Sequence, residues 1–207
     1  MLRKGQRTRH AILDVAAALA SEHGLGSLSI GGLAAATDMS KSGLFAHFGS
    51  KEELQIATVD HAAYIFIREV IEPARSAPKG VARIWALLDG FLGYIERDVF
   101  AGGCFFATTS AEFKNRPGPV RDRITEQLAS WRSYLERAVE QAQQMGEIEP
   151  AADPRRIAFE LNAFAQNAEA QHELFGDRRV FADAREAIRE RLESLRLERR
   201  LTALTRG

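Results

Sequence analysis

The sequence predicts an all-α protein: an N-terminal three-helix head carrying a helix-turn-helix, followed by a larger helical body. Three observations predict it. Apolar residues recur at helical spacing along most of the 207 residues, and no segment shows the alternation of a strand. The six prolines fall in three close pairs, Pro73 with Pro78, Pro117 with Pro119 and Pro150 with Pro154. Proline lacks an amide N–H and disfavours helix at the residue before it, so each pair reads as a joint between helices.

In chain order, Ile12, Ala16, Leu19 and Ala20 share one face of a first helix over about residues 3–23, with Gly24 as its stop. Ser29 is a good N-cap for a second helix holding Ile30, Leu33 and Ala34. Ser40 caps a third that carries Leu44. Ser50 and Glu53 form a capping box, so a fourth helix starts there and continues through Leu54, Ile56, Tyr64 and Ile67 towards Pro73. In the body, Leu87, Leu88, Phe91, Leu92 and Ile95 form one stripe, and Ile124, Leu128, Trp131, Leu135 and Val139 another. The last two helices, about 153–175 and 178–200, carry apolar residues on more than one face. Ile157, Leu161 and Phe164 face one way, Phe159, Ala163 and Ala170 another, and Phe181, Ala184, Ile188, Leu192 and Leu195 follow. A helix apolar on two sides has two packing partners, here the chain's own core and a second copy of the chain.

Charge separates the two parts. The chain holds 28 basic and 28 acidic side chains. Residues 1–51 hold six basic side chains (Arg3, Lys4, Arg7, Arg9, Lys41, Lys51) and three acidic ones, a net +3. The remaining 156 residues hold 22 and 25, a net −3. Zero net charge argues against a coat of nucleic acid or anionic membrane held by bulk charge. No apolar run is long enough to span a membrane, and a single cysteine, Cys104, excludes an internal disulfide and a cysteine-based zinc site. That residue usage fits a reducing cytoplasm.

Helix, tight turn and helix across residues 30–48 is the spacing of a helix-turn-helix, and also of an ordinary helical hairpin. Ala34 is small where two helices must cross, Leu33, Met39 and Leu44 are placed to lock the crossing, and Asp38 tolerates the positive φ of the turn. Such a unit presents the start of its second helix, Ser40-Lys41-Ser42-Gly43, to the major groove.

The string from Ser40 to Leu54, SKSGLFAHFGSKEEL, together with Arg9, Ile12, Leu13, Ala16, Leu19, Gly24, Ser29-Ile30 and Leu33-Ala34 before it, resembles the DNA-binding domain of TetR-family transcriptional regulators. Two positions depart from the pattern: Phe45 stands where the family usually has tyrosine, and Asp38 where it has a turn glycine. The resemblance implies a head over residues 1–51 and an effector-binding and dimerisation body over 52–207. It further implies that Thr37, Lys41, Ser42 and Gly43 approach base edges, while Ser40, Phe45, His47 and Lys51 face the phosphate backbone. Arg3, Lys4, Arg7 and Arg9 would form a basic arm or first turn suited to counterion release.

The body holds fifteen of the seventeen aromatic residues. The resemblance implies an effector pocket there, for which Phe66, Trp85, Phe91, Cys104, Phe105, Phe106, Trp131, Tyr134, Asn162 and Gln166 are the candidate lining, and ordinary core packing explains most of the same residues. The expected partners are a double-stranded operator, a small-molecule effector and a second copy of the chain, with no membrane, metal or cofactor. An enzyme is disfavoured by the lack of any Ser/His/Asp constellation, P-loop or Gly-x-Gly-x-x-Gly string. Glu169 and His172 match a Glu-x-x-His pattern, but no second pair accompanies them. The other reading from a different class is a helical small-molecule carrier whose helix-turn-helix is vestigial.

Overall fold

The computed structural model describes residues 4–196 as a succession of helices; among these residues the only bridge between extended segments is an isolated one joining Ile148 and Arg196. Arg3, the side chain of Lys4 and residues 197–200 of the expected last helix lie outside the described residues.

Helix α1 (Lys4–His23) stops where Gly24 takes a φ of +83°, and a single 3₁₀ turn, Leu25–Ser27, follows. Helix α2 (Ile30–Ala36) is capped by Ser29, whose Oγ accepts the Gly32 N–H at 3.0 Å. Helix α3 (Lys41–Phe45) is short, and helix α4 (Lys51–Phe66) begins at the expected cap. The Glu53 N–H donates to Ser50 Oγ at 3.0 Å, but the Glu53 carboxylate reaches past Ser50 to the N–H of Gly49 at 2.8 Å. Towards Pro73 the helix widens into a π turn, Ile67–Ile71, before the short helix α5 (Glu72–Ala74). Proline offers no N–H and crowds the carbonyl four residues back, which a wider turn relieves. Helices α6 (Val81–Glu96), α7 (Phe105–Phe113), α8 (Pro119–Gln144), α9 (Pro154–Phe175) and α10 (Arg179–Ser194) complete the chain.

Contacts divide the chain into two compact units. The first takes in the described residues up to Phe66 together with Asp98–Leu128; the second takes in Ile67–Arg97 and the described residues from Ala129 onward. As a unit of packing, the first extends past residue 51 because α4 packs along α1.

In the first unit, Ala16, Ala17 and Ala20 of α1 are fully buried, which lets α4 and α7 approach its backbone closely. In the second, the stripe Leu87, Leu88, Phe91, Leu92 and Ile95 is buried, and α9 and α10 pack on each other and on α6. Arg185 of α10 bridges Asp89 and Glu96 of α6 at 2.7 and 2.9 Å. The apolar residues expected on two faces of the last helices divide differently from the expectation. Phe181, Ala184, Ile188, Leu192 and Leu195 are all buried, whereas Phe159, Leu174 and Phe175 of α9 stay 69, 74 and 67 % exposed. Of these last two helices, α9 is therefore the one that exposes large apolar side chains.

Three stability outcomes follow. A Cβ on Gly102 would collide with the Ser21 carbonyl and stand 2.7 Å from the Glu22 nitrogen, backbone against backbone. Gly102→Ala should therefore cost about 1–3 kcal/mol in urea denaturation. A Cβ on Gly90, within α6, meets nothing closer than 3.6 Å. Gly90→Ala should instead stabilise by about 0.5–1 kcal/mol through helix propensity. Hydrogen bonding to Arg156, aided by Arg191, holds the Glu160 carboxyl below the ordinary glutamate range. Its contribution is complete above the unfolded value near pH ~4.3 and fades as pH falls through the lowered folded value, so Glu160→Gln should flatten that part of an acid-denaturation profile.

Candidate nucleic-acid interface

Residues 29–48 form two short helices crossing on a small core. Leu33 and Leu44 are fully buried, Ala34 lies at the crossing, and Phe48 closes the core from below. Asp38 takes a φ of +52°, the left-handed turn that the spacing requires, and the Met39 N–H returns to the Ala34 carbonyl at 3.1 Å. The side chains of Lys41, Ser42 and Phe45 are left exposed on one short helix, with Phe45 53 % accessible.

Each expected contact residue has a definite local role. Ser40 Oγ accepts the Gly43 N–H at 3.1 Å and lies 3.1 Å from Ser42 Oγ, so it caps α3 while its hydroxyl stays at the surface. A Cβ on Gly43 would come within 3.1 Å of Ser40 Oγ, so this glycine leaves room for the cap. The Thr37 hydroxyl donates to the Leu33 carbonyl at 2.7 Å, which leaves its lone pairs and methyl group for recognition. Lys41 Cε passes 3.4 Å from where a Cβ on Gly31 would sit, so its stem runs over α2. The His47 ring lies half-buried against Phe48. Lys51 Nζ donates to the Gly26 carbonyl at 2.5 Å.

Of the expected basic arm, Arg7 is exposed, but the Arg9 guanidinium lies 4.9 Å from the centre of the Phe48 ring and covers it. Arg9 thus lines a cleft of about 460 Å³ between α1 and α4, together with His10, His47, His61 and Tyr64. His61 is buried and pairs through Nε2 with Asp14 at 2.7 Å, and the His10 ring stands edge-on to it at 5.3 Å.

Two residues that hold the interface were not singled out in the sequence. Gln55, buried in α4, donates from Nε2 to the Leu25 carbonyl at 2.9 Å. Glu112 of α7 accepts the Gly26 N–H at 3.0 and 3.2 Å. Neither has a local signal, since their partners lie 30 and 86 positions away.

The candidate effector residues fall into separate groups. In the first unit, Phe66, Cys104, Phe105 and Phe106 are buried, and the rings of Phe105 and Phe106 meet at 5.3 Å. The Cys104 thiol is in no disulfide and is closed off from solvent in this conformation. In the second unit, Phe91 stands edge-on to Trp131 at 6.1 Å, and Trp131 Nε1 donates to Asn162 Oδ1 at 2.9 Å. Trp85 lies under the Arg189 guanidinium and Tyr134 under that of Arg137, while Gln166 is exposed on α9. Glu169 is buried and the His172 ring packs on Phe181, and no group of three or more metal-ligating side chains gathers among the described residues. No helix among those residues is long and apolar enough to cross a membrane.

Comparisons place these features. A family model described as bacterial regulatory proteins of the tetR family matches residues 12–58. A second, described as the C-terminal domain of tetracycline-repressor-like proteins, matches residues 80–188, just over half of the chain. No curated protein matches. A TetR transcriptional regulator from Chloroflexus aurantiacus is 31 % identical, with a TM-score of 0.81 over 90 % of this chain and 94 % of that one. A TetR-family regulator from Cytophaga hutchinsonii shares the fold at 23 % identity, with a TM-score of 0.80 over 95 and 98 % of the two chains. AibR, crystallised with isovaleryl coenzyme A and operator DNA, shares it at 24 % identity, with a TM-score of 0.65 over 87 and 95 %. The chain belongs to the TetR family of DNA-binding transcriptional regulators.

Proposed function

We propose that the protein is a ligand-responsive repressor that binds a near-palindromic operator as a homodimer in the cytoplasm and is released by a small molecule. The observation that carries this reading is the exposed start of α3. Lys41 and Ser42 project from a helix whose other face is locked by Leu44, so side chains that could read bases stand on a rigid support. Residues 1–51 form the DNA-reading part and 52–207 the effector and dimer part. Lys41 and Ser42, with Thr37 and Gly43, meet base edges, and Ser40, Phe45, His47 and Lys51 meet phosphates. The exposed apolar face of α9, with Phe159, Leu174 and Phe175, suits a two-fold interface between copies. Such a dimer would offer its α3 helices to successive major grooves roughly 34–36 Å apart.

The effector sits among the body aromatics and shifts the equilibrium between two arrangements of the heads, by no more than its differential affinity for them. That AibR shares this fold with both a small molecule and an operator bound supports the scheme. The protein acts by binding, with no catalytic role for any of these residues.

The test is selection of bound duplexes from a random pool, followed by retitration of the enriched duplex with small molecules, isovaleryl coenzyme A being a ready first probe. An enriched near-palindrome whose affinity falls with a ligand is the expected result. A protein that binds ligands but enriches no duplex is the carrier instead. Lys41→Ala should weaken the enriched duplex by about 1–3 kcal/mol and relax preference at one base position. Phe159→Glu should shift sedimentation towards monomer and abolish the advantage of a two-half-site duplex over a single half-site. Unchanged sedimentation would place the interface elsewhere.

A further inference from the structure

The 3₁₀ turn Leu25–Ser27, which leads from α1 into the helix-turn-helix, is gripped from two sides. From α4, Gln55 holds the Leu25 carbonyl at 2.9 Å and Lys51 holds the Gly26 carbonyl at 2.5 Å. From α7, the Glu112 carboxylate takes the Gly26 N–H with both oxygens, at 3.0 and 3.2 Å, and Arg116 steadies that carboxylate at 3.0 Å. At Gly24 and Gly26 the Glu112 carboxylate occupies the space a side chain would need. A Cβ on Gly26 would collide with the Glu112 carboxylate, and one on Gly24 would stand 2.9 Å from it. Helix α7 begins at Phe105, fully buried, just after Gly102, whose backbone touches Ser21 near the end of α1. Phe105, Phe106 and Glu112 thus share one nine-residue helix.

We propose that Glu112 is a positioning residue for nucleic-acid binding: its carboxylate fixes the Gly26 peptide, and through the Gly26 carbonyl it holds Lys51 at the start of α4 where the ammonium reaches a backbone phosphate. The proposal rests on the reading of Lys51 as a phosphate contact and adds the device that places it. Glu112 itself touches no nucleic acid. A carboxylate this close to a phosphate-facing surface would by charge alone oppose binding, so a positioning role predicts the opposite sign from simple repulsion. When α7 moves, the carboxylate leaves Gly26, the turn slackens and Lys51 loses its fixed base. This makes the Glu112–Gly26 contact the link by which the segment bearing Cys104, Phe105 and Phe106 lowers operator affinity.

The experiment measures binding of the full chain to the enriched duplex over a range of salt concentrations, with thermal melting of the same samples. The proteins are wild type, Glu112→Ala, Glu112→Gln, Lys51→Gln, Gly26→Ala and the pairs of Glu112→Ala with each of the last two. Glu112→Ala should weaken binding about tenfold, as loss of a charge-assisted hydrogen bond does. It should lower the salt slope by about 0.9, the signature of one lost phosphate contact. Lys51→Gln should do the same, and the Glu112/Lys51 pair no more than either alone. Gly26→Ala should reproduce the loss in wild type and be nearly silent once residue 112 is alanine. Glu112→Gln, which keeps an acceptor for the Gly26 N–H, should retain the slope, and it serves if the alanine variant fails to fold. Tighter binding by Glu112→Ala, additive losses with Lys51→Gln, or lowered melting with an unchanged slope would each overturn the proposal. Failure of the wild type to bind any duplex strikes instead at the underlying reading, and is told apart by occurring before any variant is compared.

Discussion

Close approach to α1 is the constraint on which the first unit depends. Ala16, Ala17 and Ala20 have no measurable exposure, so the backbones of neighbouring helices reach almost to that of α1. With larger side chains there, α4 and α7 could not both pack on this helix. The polar contacts use the same proximity: Asp14 reaches His61 across to α4, and Gly102 fits against the Ser21 carbonyl only because it lacks a side chain. The helix-turn-helix inherits its position from this packing. It has too small a core of its own, built from Leu33, Leu44 and Phe48, to hold an orientation unaided.

The zero net charge of the chain is resolved by where the ions are committed. In the second unit, arginines are largely matched to acids, as Arg185 is to Asp89 and Glu96, and Arg191 to Glu160. Those pairs join helices and leave little net field. At the helix-turn-helix, Lys41 forms no ion pair among the described residues, and Lys51 gives one ammonium proton to the neutral Gly26 carbonyl, which leaves its other donors for a phosphate. A weak overall charge with a few uncommitted cations suits reading of a defined site better than a broad basic surface does.

The glycines around the turn show how one residue type serves two ends. Gly24 ends α1 with a positive φ, while Gly26 leaves the space that the Glu112 carboxylate of α7 fills. The first need is local and follows from backbone sterics. The second arises from an element 86 positions away.

That distinction also separates what was legible in the sequence from what was not. Helical spacing, serine caps and paired prolines are local signals, and they predicted the four N-terminal helices, the Asp38 turn and the helices that bear the body's apolar stripes, while the residue identities over 40–54 carried the family resemblance. Tertiary structure decided the rest. It packed α4 along α1, laid the still exposed Arg9 guanidinium over the Phe48 ring, and left Phe159, Leu174 and Phe175 of α9 exposed. It also brought Gln55 and Glu112 to the entrance of the helix-turn-helix. These outcomes depend on which surfaces meet after the helices have formed, and a buried amide or carboxylate finds its partner through packing geometry that carries no periodic trace along the chain.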